Sequence, residues 1–599
     1  MKRVYIFLSI FTLFLAACDD SFLDRYPRTE FAPESFFNSE EDLAMYVYGL
    51  HSVSSVYQYQ GDQGTDNMAT TAVVEIKNIM TGNPTSENIS GGWNWAYLRD
   101  INFFLENYHK ASLDAPTQNH YEGVAKYYRA QFYYNKIKRF SDVPWYSQTL
   151  GTTDEDLYKP RDPRTLVVDS IFADLDFAVH HTRDKANVPE GAIHKWAALM
   201  LQARIALHEG TYRKYHAELG LQNTANTYLE IARNAALEII SSGEFAISME
   251  GGTEEAYRNL FNSTSLSGNT EAILVHYYDY EKEKSSNINF TVFGDYEQSP
   301  SRDLVMNYLM QDGNRFTEQP AHESLTFVEE FQNRDPRLKQ TLVYPGWVQA
   351  PNDNAYVQRL NKNFTGYHQL KGYINSTENS ILQSMDVPVY RFAEALLIYA
   401  EAKAELGELT QADLDMSVNQ LRDRAGMPHL LMAEANANPD PFLTSKYPNV
   451  SGSNQGVLLE IRRERRIEFA LEGFRFDDLM RWNAGKLLEN KPEGMYFPGL
   501  GKYDMTGDGI EDIILIGKDQ DIPDLEDKEK NSLGEVLVYY KAGLLGEEVT
   551  VYLQNGESGG NIITQNTERI FTEPRDYYRP IPAHEVLLNP QLEQLFGWQ

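Results

Sequence analysis

The chain of 599 residues carries 54 basic and 86 acidic side chains, which gives a net charge of −32. Nucleic-acid binding and adhesion to anionic lipid both depend on clustered basic side chains, so this composition argues against both. The single cysteine excludes an intrachain disulfide. A neutral ligand is not repelled by the net negative charge.

The first twenty residues have the pattern of an export signal. Lys2 and Arg3 precede an apolar run over residues 4–17, and residues 15–18, LAAC, have the pattern of a lipobox. The run is too short to span a bilayer, which takes roughly 20 apolar residues. We predict a signal peptide over residues 1–17 and acylation of Cys18, so that only the lipid would tether the mature chain to a membrane. The alternative is an ordinary secretory signal with a chance cysteine.

Helical periodicity dominates the first half of the chain and returns near residue 400. Apolar side chains spaced three and four apart predict the buried face of each helix. Gly210 and Gly243 lie where helix ends are expected. The periodic positions, helix by helix, are Tyr121, Val124, Tyr128 and Phe132; Val168, Ile171, Leu175 and Ala178; Trp196, Leu199, Ala203 and Leu207; Leu229, Ala232, Ala236 and Ile239; and Phe392, Leu396, Tyr399, Ala402 and Leu406.

These helices predict a mainly α fold. Their alternation of small and aromatic core positions indicates a solenoid of stacked helical hairpins, with about four pairs. The pattern is similar to tetratricopeptide repeats, but the spacing departs from the regular period of roughly 34 residues, so the repeats would be degenerate.

Two insertions, residues 244–390 and 490–570, differ in composition from the helical segments. They are rich in turn residues and contain strand-like pieces, and Asn555-Gly556 is typical of a hairpin turn. Loops of this length are usually functional. We therefore divide the mature chain into a helical region, 18–243, and a region with ligand-binding loops and the last helix pairs, 244–599. The strand-like pieces are residues 272–275, 513–516, 536–540 and 549–553.

A run of arginine and glutamate over residues 460–472 predicts a network of ion pairs rather than a ligand site. Arg465 and Glu468 are three residues apart on a helix and are expected to pair. Further charged residues between 475 and 481 would extend the network and tie the last helix pair to the loops.

The stretch YDMTGDGIED, residues 503–512, has the oxygen spacing of a calcium loop, with Gly509 at the sharp turn. Leu515 stands where an EF-hand has its bidentate glutamate, so the loop is not a standard one. The alternative is a solvated turn. The predicted ligands of a structural Ca²⁺ are Asp504, Thr506, Asp508, the carbonyl of Ile510, and Asp512.

The stretch GGWNWAYLRDIN, residues 91–102, is the best candidate for a ligand site. Indole rings stack on the C–H faces of sugars, while amides and carboxylates bind the hydroxyl groups. Trp93 and Trp95 follow two glycines and flank Asn94, so at least one ring is expected in a loop; Asp66, in a second loop, is a further polar candidate. The alternative is that both rings pack under the helix that follows.

Several motifs of catalysis are absent from the sequence. It contains no Walker loop, dinucleotide-binding glycine pattern or His-Glu-x-x-His motif. Carboxylates are abundant, but nothing singles out the pair that a glycoside hydrolase requires. A lipid-anchored glycoside hydrolase is therefore a remote alternative.

Several stretches that cover most of the chain resemble, in the same order, the SusD/RagB family. They are SFLDRYPRTEFAPESFFNSEEDLAMYVYGLH, YEGVAKYYRAQFYYNKIKRFSDVPWY, YKPRDPRTLVVDSIFADLDFAV, GAIHKWAALMLQARIALHEGTY, VPVYRFAEALLIYAEAKAELG, RRERRIEFALEGFRFDDLMRW and RPIPAHEVLLNPQLEQLFGW.

The resemblance implies four tetratricopeptide-like helix pairs that support a loop-rich region. It implies an outer-membrane lipoprotein that faces the cell exterior and hands glycans, or in one branch peptides, to a SusC-type TonB-dependent transporter without catalysis. We therefore expect capture of an extracellular oligosaccharide or polysaccharide, with peptide binding on the same scaffold as the alternative. The regions of ligand contact in the family suggest Tyr277, Tyr278, Tyr280, Tyr296 and Trp347.

Overall fold

A computed structural model describes residues 36–293, 298–376 and 382–598. The signal segment 1–17, Cys18 and Tyr296 lie outside these residues, so the predictions made for them stay predictions. Among the described residues, no helix combines the length and the apolar character needed to cross a bilayer.

The described chain is mainly helical, as predicted, and all five periodic stretches lie in helices. The helices are α1 (Glu40–Gly49), α2 (Glu75–Thr81), α3 (Ala96–Asn107), α4 (Ala115–Phe140), α5 (Arg164–His181), α6 (Lys195–Tyr215), α7 (Ala225–Ser241), α8 (Ala256–Asn259), α9 (Ile288–Phe293), α10 (Arg302–Asn307), α11 (Phe327–Glu330), α12 (Arg337–Thr341), α13 (Phe392–Leu406), α14 (Gln411–Met416), α15 (Val418–Ala425), α16 (Met432–Ala437), α17 (Pro441–Lys446), α18 (Gln455–Glu468), α19 (Arg475–Arg481) and α20 (Ala583–Leu588).

Short strands pair in four small sheets within the described residues. The first three sheets are antiparallel pairs, β1 with β3, β2 with β4 and β5 with β10, and the fourth has the order β6-β7-β8-β9. The strands are β1 (Met68–Thr70), β2 (Ala272–His276), β3 (Gln298–Pro300), β4 (Val387–Arg391), β5 (Glu493–Phe497), β6 (Gly501–Tyr503), β7 (Ile513–Gly517), β8 (Val538–Gly543), β9 (Val551–Tyr552) and β10 (Gly560–Ile563).

The helices pack as the predicted hairpins. Helix α4 packs on α5 and α6 on α7, while α13, from the second half of the chain, packs on α6, α7 and α18. Val168, Leu229 and Leu396 are fully buried in one continuous core. The tetratricopeptide-like fold class is confirmed, and its core draws on both sides of the predicted division at residue 243.

The predicted helix end at Gly210 is wrong, whereas that at Gly243 is correct. Helix α6 continues through Gly210 to Tyr215. A Cβ atom on Gly210 would lie 2.9 Å from the backbone nitrogen of Leu229, so glycine here allows α7 to approach closely. Gly243 follows the end of α7 with a φ of +73°, which glycine adopts without strain.

The second insertion contains strands, as predicted, but one of them begins two residues later than predicted. Strand β8 begins at Val538, whereas the prediction began at residue 536. Val536 instead forms an isolated antiparallel bridge with Lys530, in the turn that leads into the strand. From Val538 onwards the strand lies parallel to β7, in register with Ile513.

The arginine and glutamate run forms a buried ionic network, but Arg465 and Glu468 have partners other than each other. Arg465 lies 2.8 Å from Asp478 on α19. Glu468 lies 2.5 Å from Arg391 and 2.6 Å from Arg424. Because α18 is buried nearly all round, most of its charged side chains pair with neighbouring elements, although Arg463 also lies 3.3 Å from Glu460 on the same helix.

The C-terminal segment returns to the N-terminal helices and positions the candidate site. The backbone amide of Ile570 donates to the carbonyl of Met80 at 3.0 Å, and the backbone amide of Arg579 donates to the carbonyl of Arg139 at 2.7 Å. These bonds place α20 beside the loop that carries the two tryptophans, although nearly the whole chain separates the two segments.

Candidate functional site

The two-tryptophan loop is held by basic side chains of α4. Lys136 Nζ donates to the carbonyl oxygens of Gly92, at 2.5 Å, and Asn94, at 2.7 Å. Gly92 has a φ of +90°, which favours glycine, and a Cβ atom there would lie 2.3 Å from Nε of Arg139 and displace the guanidinium. Burial, with Arg139 nearby, lowers the pKa of Lys136 to about 8, which leaves the ammonium group charged at neutral pH.

Trp93 and Trp95 are half-buried, with their rings at right angles to each other. Their centroids lie 5.3 Å apart with an interplanar angle of 82°. Phe140 supports Trp93 at 4.9 Å, and Tyr146 supports Trp95 at 5.5 Å, both edge to face. Asn94 is exposed, and its side-chain oxygen accepts from the amide of Ala96 at the start of α3. Neither indole is therefore packed wholly under α3.

Both rings line a cavity of about 460 Å³, which we call the tryptophan groove. The opposite wall comes from Leu157 and Tyr158 and from Leu588 and Leu592 of the C-terminal segment. Gln591 ties that segment to the facing loop by donating to the carbonyl of Tyr158 at 2.7 Å. The groove is therefore open, mostly apolar and bounded by two parts of the chain that are hydrogen-bonded to each other.

A few polar side chains lie along the groove. Arg99 and Gln148 are exposed on its rim, and Glu585 is half-buried on α20. Asn102 is buried and is held by the carbonyl oxygens of Tyr146 and Gln148. Aromatic surfaces with a polar rim suit a ligand that has flat apolar faces and hydroxyl groups at its edges.

The tyrosines that follow β2 lie outside the tryptophan groove. Tyr277 lines a separate cavity of about 310 Å³ with Gly191. Tyr278 stacks on His276, with ring centroids 4.8 Å apart. Tyr280 is 47% exposed. The structure thus does not bring these three tyrosines together with Trp93 and Trp95.

Trp347 and Asp66 are both buried, whereas the sequence predicts them as ligand contacts. Trp347 is 3% exposed and packs against Phe293, with centroids 5.4 Å apart, so it is a core residue. Asp66 is 4% exposed, and both of its carboxylate oxygens accept from Arg475, at 2.8 and 2.7 Å. Burial on its own would raise the pKa of Asp66, but Arg466 and Arg475 hold it well below its usual value. Sequence position alone could not reveal either packing partner.

The predicted calcium loop lies between β6 and β7, and its carboxylates accept hydrogen bonds from backbone amides. Asp504 accepts from Gly507 at 2.6 Å, Asp508 from Ile510 at 2.8 Å, and Asp512 from Thr506 at 3.0 Å. Within the described residues, no group of three or more His, Cys, Asp or Glu side chains converges in a geometry that could hold a metal. Calcium binding stays a prediction.

The second wall of the groove is not apparent from the sequence. Tyr146 ends one of the stretches that resemble the family and Tyr158 begins the next, but the resemblance assigns neither of them a ligand contact. Leu587 and Leu588, next to each other before Asn589-Pro590, give the one available signal, because two adjacent leucines at a helix end cannot both face the core.

Comparison with known proteins gives a consistent family result. The profile of the SusD family matches residues 270–598. A SusD-like protein of Formosa agariphila is 25% identical over 540 residues, which is 82% of this chain and 91% of the relative. A SusD-like protein of Bacteroides ovatus is 20% identical over 635 aligned positions, 99% of this chain and 98% of the relative.

Solved structures agree on the fold. The crystal structure of a SusD-like carbohydrate binding protein from Bacteroides fragilis is similar with a TM-score of 0.67 and 21% identity. The match covers 93% of this chain and 100% of that one. A second SusD-like protein from the same organism has a TM-score of 0.66 and 20% identity, and covers 96% of this chain and 100% of that one.

Proposed function

The chain belongs to the SusD family, and from this premise we propose that it is an outer-membrane lipoprotein that binds an extracellular oligosaccharide and delivers it to a SusC-type TonB-dependent transporter. Acylation of Cys18 would anchor it on the outer face of the membrane. The solved relative that is described as carbohydrate binding supports the ligand class.

The observation that carries the proposal is the tryptophan groove. Two half-buried indoles stand at right angles over a cavity of about 460 Å³, with Tyr158 on the facing wall. A sugar ring has apolar C–H faces that pack on such rings, and its hydroxyl groups can reach Arg99 and Gln148 on the rim. The volume falls within the roughly 300–1,000 Å³ of ordinary ligand pockets.

Binding without chemistry fits the composition of the groove. Glycoside hydrolysis uses two carboxyl groups that flank the scissile bond. Of the described residues that line the groove, Glu585 alone carries a carboxylate. The net charge of −32 further favours a neutral glycan over a polyanionic one.

The experiment is affinity electrophoresis against a panel of neutral polysaccharides, with the Trp93→Ala and Trp95→Ala variants beside the wild-type protein. We expect each variant to bind at least about tenfold more weakly, which corresponds to about 1.4 kcal/mol. Melting temperatures should change little, because both rings are half-buried.

Two matched variants locate the site. Tyr57→Ala, at a ring that is exposed and lies outside the groove, is expected to bind as the wild type does. Tyr280→Ala tests the alternative region after β2. If binding depends on Tyr280 and is insensitive to both tryptophans, the groove is not the glycan site.

The other readings give distinct results in the same assay. Retention of a peptide library, without retention of any polysaccharide, would support the peptide alternative. New reducing ends after incubation with a bound glycan would reveal a hydrolase and overturn the binding-only proposal.

Delivery to a transporter requires a separate test in cells. Cys18→Ser should abolish labelling by a radioactive fatty acid and release the protein from the outer membrane. The wild-type protein should co-purify with a TonB-dependent transporter after gentle detergent extraction. A wild-type protein that is not acylated, or that purifies without such a transporter, would contradict the delivery role.

A further inference from the structure

A second cavity, of about 330 Å³, lies on another face of α4 and is polar where the tryptophan groove is apolar. We call it the polar cleft. Gln131, Tyr134, Asn135 and Lys138 line it from α4, and their spacing of three, one and three residues places them on one face of the helix. The remaining walls come from α6 and α19, from the loops over residues 52–58 and 472–474, and from single residues of β4, α13 and α18.

The polar cleft has a wide mouth and a buried floor. Ser52, Ser54 and Asn135 are exposed at the mouth. His208 and Arg465 are buried at the floor. The mouth is therefore open to solvent, and polar groups lie below it.

Two buried nitrogen atoms along the cleft have no hydrogen-bond partner in the described chain. They are Nδ1 of His208 and Nη1 of Arg465, each on a side chain that is more than nine-tenths buried. Burial, followed by the charge of Lys138, lowers the pKa of His208 well below its usual value, so the imidazole is neutral. Unpaired buried polar atoms cost free energy, about 1–3 kcal/mol each, so the floor of the cleft retains hydrogen-bonding capacity that the fold itself does not use.

The charges along the cleft favour a neutral ligand. Among the described residues, every cation that lines it is already paired with a carboxylate, so no unpaired positive charge is left to bind an anion. The pairs are Lys138 with Asp477 at 2.7 Å, Arg204 with Glu394 at 2.6 Å, Arg465 with Asp478 at 2.8 Å, and Arg481 with Asp478 at 2.9 Å.

The cleft also offers aromatic surface to a small ring. The Tyr134 ring lies on one side, and Phe474, half-buried, lies near the mouth, with the Arg204 guanidinium 5.0 Å from its centroid. A volume of about 330 Å³ is at the lower end of the roughly 300–1,000 Å³ of ligand pockets, which suits one or two sugar rings rather than a long chain.

We propose that the polar cleft is a second binding site, which takes a single neutral sugar or a polyol of similar size. Its hydroxyl groups would bind His208 and Arg465 at the floor and the amides of Gln131 and Asn135 towards the mouth. This site is separate from the tryptophan groove, and it stands even if the groove binds peptides.

The test is saturation-transfer NMR on the full mature chain with D-glucose, D-galactose, D-mannose, D-xylose and xylitol, and with D-glucuronate as the charged comparison. Ser54→Trp blocks the mouth from an exposed position, and Gln131→Leu removes an amide. Ser453→Trp, at an exposed serine that lines neither cavity, is the matched control.

We expect at least one neutral probe to give a signal that falls at least fivefold in Ser54→Trp and in Gln131→Leu and persists in Ser453→Trp. The same signal should persist in Trp95→Ala, which separates this site from the groove. The proposal is overturned if no neutral probe gives a signal, if the cleft variants leave the signal unchanged, or if glucuronate binds more strongly than every neutral probe.

Discussion

Lys136 fixes the backbone of Asn94, the residue between the two tryptophans, through a hydrogen bond of 2.7 Å from Nζ to the carbonyl oxygen. The same ammonium group lies 4.7 Å from the centroid of the Trp95 ring. One buried side chain of α4 thus positions both the loop and one of its rings, so Lys136 is a positioning residue for the tryptophan groove.

Lys136→Met is expected to weaken glycan binding by about tenfold or more, because each charge-assisted hydrogen bond contributes roughly 1.5–3 kcal/mol. Tryptophan fluorescence should also shift as the rings move, which a purely global loss of stability would not produce below the melting transition. Lys126→Met, on the same helix but outside the groove, where the lysine is half-buried and paired with Glu122, is the control. Equal effects from the two variants would contradict a positioning role.

The adjacent leucines of α20 give a matched pair of variants. Leu588 lines the tryptophan groove and is 66% exposed, whereas Leu587 is 81% exposed and lies outside it. Leu588→Asp should lower glycan affinity at least about fivefold, or roughly 1 kcal/mol, by placing a charge on an apolar wall. Leu587→Asp should leave the affinity unchanged. Isothermal titration with the glycan that the wild type retains measures both, and a similar loss in both variants would place the ligand elsewhere.

Trp347 and Asp66 are expected to affect stability and not binding. Trp347→Ala removes a large ring from a packed core and should lower the free energy of unfolding by about 3–5 kcal/mol. Asp66→Asn leaves Arg475 buried without its carboxylate partner and should also cost about 3–5 kcal/mol. Urea unfolding measures both, and folded variants should retain glycan affinity at 10 °C. A loss of affinity in a folded variant would restore that residue as a ligand contact.

Glu401 is expected to make the stability depend on pH in the acid range. Burial alone would raise the pKa of this carboxyl group, but Arg481 and its neighbours lower it from 4.5 to about 2. Because the folded pKa is the lower one, the stabilisation is complete above pH 4.5 and is lost as the pH falls towards 2. Glu401→Gln should therefore lower the free energy of unfolding at neutral pH by about 3 kcal/mol and flatten its slope across that window.

The control for Glu401 is Glu408→Gln, which removes an exposed partner of Arg233. A surface pair of this kind contributes about 0–1 kcal/mol, so little change is expected. Urea unfolding followed at several pH values compares the two variants. If the free energy of unfolding depended on pH in Glu401→Gln as it does in the wild type, the lowered pKa of Glu401 would not be the cause of that dependence.

The loop between β6 and β7 is expected to be stabilised by Ca²⁺. Burial, with Asp504 nearby, raises the pKa of Asp512, so a cation there would relieve an unfavourable charge. At a hundredfold excess over the dissociation constant, bound calcium would add about 2.7 kcal/mol to the free energy of unfolding. Thermal melts with calcium and with a chelator measure the effect, and Asp512→Asn should abolish it. Identical melting temperatures in the two solutions would show that the loop is a solvated turn that does not bind calcium.

The sequence by itself determined the helices and the loop that carries the two tryptophans. Periodic apolar positions such as Leu229 and Leu396 mark buried helix faces because the helical period is a local property of the chain. The glycines before Trp93 likewise predicted that at least one of the two rings lies in a loop, since a glycine turn is also local.

Only the tertiary structure decided what faces those rings and which charges are paired. Leu588 and Leu592 line the same groove as Trp95, although most of the chain separates them in sequence, and Asp66 pairs with the distant Arg475. No local pattern encodes such contacts, because they arise from the packing of elements that are distant in sequence. For the same reason, the sequence predicted an ion pair between Arg465 and Glu468, whereas the fold gave each of them a partner on another element.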